Sequence, residues 1–216
     1  MIITNGKAFF DSYRLHFGKL NQDQVDGLNN VLEAFAEDPL LTDVPHAAYM
    51  LATVYHETAQ TFQPIYERGR RSYFHKYDGR YGNNQAGDGF RYRGRGYVQL
   101  TFRNNYLRAS NALNKLNERY DEPVDLVADP DLALDPQIAS DIMLIGMREG
   151  WFTGRRLGDY LNSSKVDYIN ARKIINGLDH ALEISDYAVK FENILHIAEL
   201  REDMAEASTL ELRMAS

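Results

Sequence analysis

The 216-residue chain contains no cysteine. That absence excludes a disulfide scaffold, a zinc–thiolate centre and a thiol nucleophile. Strand signals are sparse and there is no internal repeat, which excludes sandwiches, barrels and solenoids as the main architecture. No apolar run approaches the roughly 20 residues of a membrane span, so stable membrane insertion is not expected. The opening residues, Met1 to Lys7, show no cationic region followed by an apolar one. No signal peptide is expected on that pattern. What is present is ordinary for a protein that buries a real core: 44% of the residues are hydrophobic.

Charge is unevenly placed. The net formal charge is −7, yet from Glu67 to Arg108 there are ten Lys/Arg against three Asp/Glu, a local +7, leaving −14 for the rest. A basic island in an acidic chain suggests a local anionic partner. The plainer alternative is that these arginines pair with acidic neighbours inside the fold.

The pattern is mostly helical. Asn21 and Gln24 form a capping-box pair ahead of Val25, Leu28, Val31, Leu32 and Phe35, which follow helical spacing. Asp43 and Pro45 open a second helix with Ala47, Met50, Leu51, Val54 and Tyr55 inward. Tyr97 to Leu100 reads as a short strand, and Thr101 as the cap of a helix over 102–115. Pro136 opens a helix with Ile138, Ile142, Met143 and Ile145 inward. Ile169, Ile174 and Ile175 lie in a shorter helix ended by Asn176-Gly177. A last long helix carries Ile184, Ala188, Phe191, Leu195 and Ala198. Between these, residues 58–96 have little periodicity, seven glycines from Gly69 to Gly96, and a high aromatic content. So long an irregular segment is functional or disordered, and its aromatics argue for an ordered binding wall.

Two glutamates frame that segment. Glu57 ends the apolar helix face in Tyr55-His56-Glu57-Thr58. Burial there favours the protonated form that a general acid needs. A negative charge at a helix C-terminus also opposes the helix dipole, so a purely structural placement is unfavourable. Glu67 lies among Arg68, Arg70 and Arg71, which would hold it ionised as a base. An acid and a base in different surroundings, facing a polar wall, are what hydrolysis of a glycosidic bond requires. Gln99 and Thr101 are candidates to position water or sugar hydroxyls, against a plainer reading as a buried amide and a helix cap.

Other chemistries fit less well. His56-Glu57 begins a zinc-protease motif, but its second histidine would fall at position 60, which is Gln60. No metal or other cofactor is expected. Arg93-Gly94-Arg95-Gly96-Tyr97-Val98-Gln99-Leu100 partly matches an RNA-binding strand motif and fails where that motif wants aromatics, at Arg95 and Leu100.

His56-Glu57-Thr58, Tyr66-Glu67-Arg68-Gly69, Gly94 to Thr101, Asn105-Tyr106, Asp129-Pro130-Asp131-Leu132 and Ile174-Ile175-Asn176-Gly177 resemble, in order, the signature of glycoside hydrolase family 19. That family holds chitinases and phage endolysins. The resemblance spans roughly positions 45–180. It implies a mainly α, lysozyme-like, two-lobed helical fold with a central substrate cleft, and an inverting mechanism. Glu57 resembles the general acid and Glu67 the general base. Thr101 stands where a serine helps to hold the water, and Gln99, Asn105 and Asn176 resemble substrate-binding positions. The aromatic and basic wall adds Tyr66, Arg95, Tyr97 and Tyr106 as expected substrate contacts. A basic residue that the family's chitinases carry in the final helix falls at Tyr187.

Plant members are disulfide-bonded and secreted. A compact, cysteine-free chain is more similar to a phage endolysin of a Gram-negative host. The resemblance then implies one catalytic domain over 1–200 and an acidic tail, helical or disordered, over 201–216. It implies peptidoglycan glycan strands as substrate, cut at the β-1,4 bond between N-acetylmuramic acid and N-acetylglucosamine. It further implies a monomer made in the host cytoplasm and acting in the periplasm, dependent on a membrane-permeabilising holin, with no nucleic-acid partner. The alternatives are a chitinase and, from another class, an RNA- or single-stranded-DNA-binding module using the Arg/Gly/Tyr stretch.

Overall fold

A computed structural model describes residues 6–116 and 119–214, with side chains as far as position 199. The described chain is mainly helical. In order it forms α1 (Gly6–Phe17), α2 (Gln22–Glu37), α3 (Val44–Glu57), β1 (Ile65–Tyr66), a 3₁₀ segment (Arg71–Tyr77), α4 (Asp88–Arg91), β2 (Arg95–Gly96) and α5 (Arg103–Leu113). A second 3₁₀ segment (Pro130–Leu134) leads into α6 (Pro136–Glu149). Then come α7 (Leu157–Tyr160), β3 (Leu161–Asn162), β4 (Lys165–Val166), α8 (Tyr168–Ala171), a third 3₁₀ turn (Arg172–Ile174) and α9 (Ala181–Met214). The expected acidic tail, 201–216, falls where side chains lie outside the described residues.

α3 is the central element. Every residue from Ala47 to Tyr55 is buried, so this helix has no solvent face. The hydroxyl of Thr53, buried within it, donates back to the Tyr49 carbonyl at 2.9 Å, which satisfies it without leaving the helix. α9 packs along α3, with α1 and α8 against α9; α2 and α5 pack on α6. Phe17, Tyr55, Phe62 and Phe191 knit α1, α3 and α9 together, with the Phe17 and Phe191 rings stacked at 4.7 Å. Phe62 and Phe191 are fully buried, and a large apolar side chain so placed stabilises by roughly 1.5–3 kcal/mol.

The caps follow the sequence closely. The Asn21 side chain accepts from Gln24 N, and the Gln24 side chain accepts from Asn21 N. Asp135 accepts from Gln137 N and Ile138 N at the start of α6. α1 was not legible in the reading above, although Ala8, Phe9, Ser12 and Tyr13 bury one helical face.

Two local expectations need correction. Tyr97–Leu100 is not a strand but a tight turn, closed by Arg95 N and Leu100 N donating to each other's carbonyls at 3.1 and 2.9 Å. The strand is the preceding pair, Arg95–Gly96, which runs antiparallel to β1. Thr101 does not cap α5. The first helical amide, Arg103 N, is satisfied from a distance by the buried Asn83 side chain at 3.0 Å. Its Nδ2 also donates to the Tyr77 carbonyl, which ties the irregular segment to α5.

The loop after α3 is pinned onto α2. Gln24 Nε2 donates to the Gln60 carbonyl at 2.9 Å and Gln63 Nε2 to the Asp23 carbonyl at 2.6 Å. Gly27 makes this possible: a Cβ there would lie 2.3 Å from the Phe62 carbonyl oxygen. Helix propensity alone would favour alanine by roughly 1 kcal/mol. The backbone contact reverses that sign. Gly27→Ala is expected to destabilise by about 1–3 kcal/mol, measured as a lowered melting temperature; a raised one would mean the loop relaxes freely.

Candidate active site

Glu57, Glu67, Gln99, Thr101, Asn105 and Asn176 line one cleft of about 360 Å³, together with Tyr77, Val98, Phe102, Phe152 and Ile175. One wall is the end of α3 and the chain around 172–176. The other is β1–β2 and the turn leading into α5.

Glu57 occupies the last turn of α3. The sequence reading places it in an apolar setting; the structure instead gives it a cation. Arg172 Nη1 donates to Glu57 Oε1 at 2.6 Å. The arginine side chain is 4% exposed and the glutamate 16%. Arg172 is itself held by Nε donating to the Asp179 carbonyl at 3.0 Å. Among the described residues Glu57 Oε2 has no hydrogen-bond partner, so one oxygen is anchored and the other is open to the cleft. Sequence reasoning missed Arg172. It lies two residues before Ile174-Ile175-Asn176-Gly177, where Arg172 and Lys173 stand between buried Ala171 and Ile174. Tyr187, where a basic residue was sought, does not line the cleft; its hydroxyl donates to Glu183 at 2.7 Å.

Glu67 follows β1 directly. Its backbone N–H donates to the Gly94 carbonyl at 2.7 Å, extending the β1–β2 ladder by one pair. Its carboxylate is fixed on both oxygens, Oε1 accepting from the Tyr77 hydroxyl at 2.8 Å and Oε2 from Gly94 N at 3.0 Å. Among the described residues it makes no ion pair with Arg68, Arg70 or Arg71, contrary to expectation: those side chains point outward and are exposed. Gly94 is required here because a Cβ would stand 2.7 Å from Gln99 Oε1 and 3.2 Å from Glu67 Oε2. Burial raises the Tyr77 hydroxyl above its usual range, and its bond to Glu67 raises it further, so it stays a donor.

Thr101 Oγ1 donates to the Gln99 carbonyl at 2.8 Å, which leaves its oxygen lone pairs to accept from water. Gln99 adopts φ 55°, an uncommon left-handed conformation for a residue with a side chain. Its amide donates to the Ile65 and Gly96 carbonyls at 3.1 and 3.2 Å, clipping the turn to β1. Asn105 Nδ2 donates to the Thr101 carbonyl at 2.9 Å.

Four expected substrate contacts are placed elsewhere. Arg95 is 4% exposed, ion-paired with Asp131 at 2.9 Å and bonded to the Tyr106 hydroxyl and the Arg91 carbonyl. It is a buried strut. Tyr97 and Tyr106 are fully buried and cannot touch a ligand. Tyr66 is exposed but lies outside the cleft, under the Arg93 guanidinium at 4.5 Å. The basic segment thus resolves in a way the sequence reading did not foresee. Several cations rest on aromatic faces, including Lys76 on Tyr73 and Arg93 on Phe90, rather than on carboxylates.

Beside Glu57, burial lowers His56 below its ordinary value of 6.5. Arg172 and His180 push in the same direction, while Glu57 and Glu183 oppose them. The His56 and His180 rings are 4.9 Å apart. Because the folded value is the lower one, the unfolded chain binds more protons between the two. Stability is therefore fully present above about pH 6.5 and falls as the pH drops through that value. Melting temperatures measured from pH 7.5 down to 5 are expected to decline less steeply in His56→Gln; an identical slope would assign the titration to other groups.

No family model matches the chain, and no curated protein gives a significant match. Solved structures do. Chitinase C from Streptomyces griseus HUT6037 superposes with a TM-score of 0.54 at 20% identity, over 88% of this chain and 78% of that one. A bacterial family 19 chitinase, described as differing from the plant enzymes, superposes with a TM-score of 0.53 at 20% identity, over 86% and 93%. At that identity the likeness shows the fold alone: this chain has the mainly α, lysozyme-like, two-lobed fold of the family 19 chitinases.

Proposed function

We propose that the protein is a glycoside hydrolase that cuts the β-1,4 bond between N-acetylmuramic acid and N-acetylglucosamine in peptidoglycan, as an endolysin. The observation that carries the reading is the pair of glutamates from different elements lining one cleft, one anchored by a buried arginine and the other by two neutral donors. In this proposal Glu57 carries its proton on Oε2, while Oε1 remains bonded to Arg172. As the glycosidic bond breaks, that proton passes to the leaving oxygen. The negative charge left on Glu57 finds the guanidinium already in place, so no reorganisation is needed when it forms. Glu67 removes a proton from a water that attacks the anomeric carbon from the opposite face, inverting it. Thr101 accepts from that water. Gln99, Asn105 and Asn176 offer amides to the sugar substituents.

The protein is then a monomer made in the host cytoplasm, delivered through a holin-permeabilised membrane and active in the periplasm. That reading rests on the sequence resemblance. A chitinase is the second reading, favoured by the names of the structural neighbours.

Mass spectrometry of digested peptidoglycan would identify the new reducing-end sugar, with chitin oligomers as the competing substrate. Glu57→Gln keeps an oxygen for Arg172 but cannot donate the proton as an acid; a loss of at least ~100-fold in kcat is expected. Glu67→Gln should cost a similar factor. Full activity of either variant would remove that residue from its role, and retained anomeric configuration by NMR would overturn the inverting step.

A further inference from the structure

A second hollow, of about 540 Å³, lies on the outer side of α5 and is not used by the chemistry above. Asn104, Arg108, Asn111 and Lys115 line it, with Glu149 and Trp151 from the end of α6 and the turn after it. The first four recur at spacings of four, three and four, so they form one stripe along α5 and just past its end. Within the helix the stripe runs roughly 10 Å, the length of about three extended peptide residues. Groove and cleft are linked at two places along the chain. Asn105 and Phe152 line the cleft, and their chain neighbours Asn104 and Trp151 line the groove.

Its chemistry differs from that of the cleft. Arg108 donates one N–H to the Trp151 carbonyl at 3.4 Å, and among the described residues neither Arg108 nor Lys115 forms an ion pair. The guanidinium is thus tethered at the groove while most of its donors stay unused. Glu149 accepts from Trp151 Nε1 at 2.8 Å, which sets one carboxylate beside the two cations. Two cations and one anion complement a ligand with an excess of carboxylates and a single amine. A chitin chain is uncharged and has nothing to place there.

We propose that this groove binds the peptide that peptidoglycan carries on its glycan, with peptide carboxylates at Arg108 and Lys115 and the free amine at Glu149. The proposal rests on the peptidoglycan reading, and it makes the groove the feature that selects peptide-bearing strands over bare ones.

The test compares soluble peptide-bearing glycan with the same glycan stripped by an amidase, using the parent protein and the Arg108→Gln/Lys115→Gln double variant. The parent is expected to prefer the peptide-bearing strand, and in the variant the ratio of kcat/KM values should fall about tenfold. NMR titration with the soluble stem tetrapeptide should move α5 resonances in the parent, more weakly at high salt, and not in the variant. An unchanged ratio, or equal peptide binding by both proteins, overturns the groove. If the parent cuts neither glycan, the peptidoglycan reading fails, and the titration alone decides whether the groove takes an anionic peptide. Both side chains are exposed, so thermal melts of parent and variant should coincide; if they do not, Lys115→Gln alone serves in the same comparison.

Discussion

The buried contact between Arg172 and Glu57 is the constraint around which the cleft is organised. A guanidinium taken out of water is costly unless it meets a carboxylate, and removing that partner strands it. Here the meeting joins the last turn of the central helix to a short 3₁₀ turn far along the chain. α3 cannot shift or rotate without breaking it. The wall that carries Ile175 and Asn176 is positioned by the same bond, since Asn176 N donates to the Arg172 carbonyl at 3.0 Å. Nothing in this arrangement needs to move for Glu57 to keep one oxygen anchored and the other free.

The opposite wall is built without regular structure and still holds a carboxylate on both oxygens. It does so with single contacts placed at turns. Gly94 leaves room for the Gln99 and Glu67 side chains, and its amide reaches the Glu67 carboxylate. Tyr77 supplies the second donor from a 3₁₀ segment, and Asn83 bonds the Tyr77 carbonyl and the start of α5 at once. Some of the cations in this region, Lys76 and Arg93 among them, lie on ring faces, and among the described residues none forms an ion pair with Glu67. The result is two carboxylates in unlike environments, one beside a cation and one between neutral donors. In the proposed reaction the cation beside Glu57 meets the charge that forms as its proton leaves, and the two neutral donors hold Glu67 in place.

Much of the helical frame was legible beforehand because its signals are local. The Asn21/Gln24 capping box, the Asp135-Pro136 start and the inward residues of α3, α6 and α9 lie within a few positions of the structure they dictate. Six of the ten residues assigned to the site from sequence and resemblance, Glu57, Glu67, Gln99, Thr101, Asn105 and Asn176, share one cleft. The failures were of a different kind. Arg95, Tyr97 and Tyr106 carry chemistry suited to binding, and burial removes them from any ligand. Composition says which groups a segment contains and not which way they face.

By itself, then, the sequence determined that the chain is helical, where its main helices begin, and that two glutamates flank a polar, glycine-broken segment. Only the tertiary structure decided what surrounds those glutamates. Arg172 lies 115 positions from Glu57 and Gly94 lies 27 positions from Glu67. Pairings at such separations depend on how helices pack and loops close, and no short-range pattern encodes them. The same holds for Gly27, where a local preference for alanine yields to a carbonyl brought in from the loop after α3. Local propensity sets the elements, and long-range packing sets the electrostatics of the site.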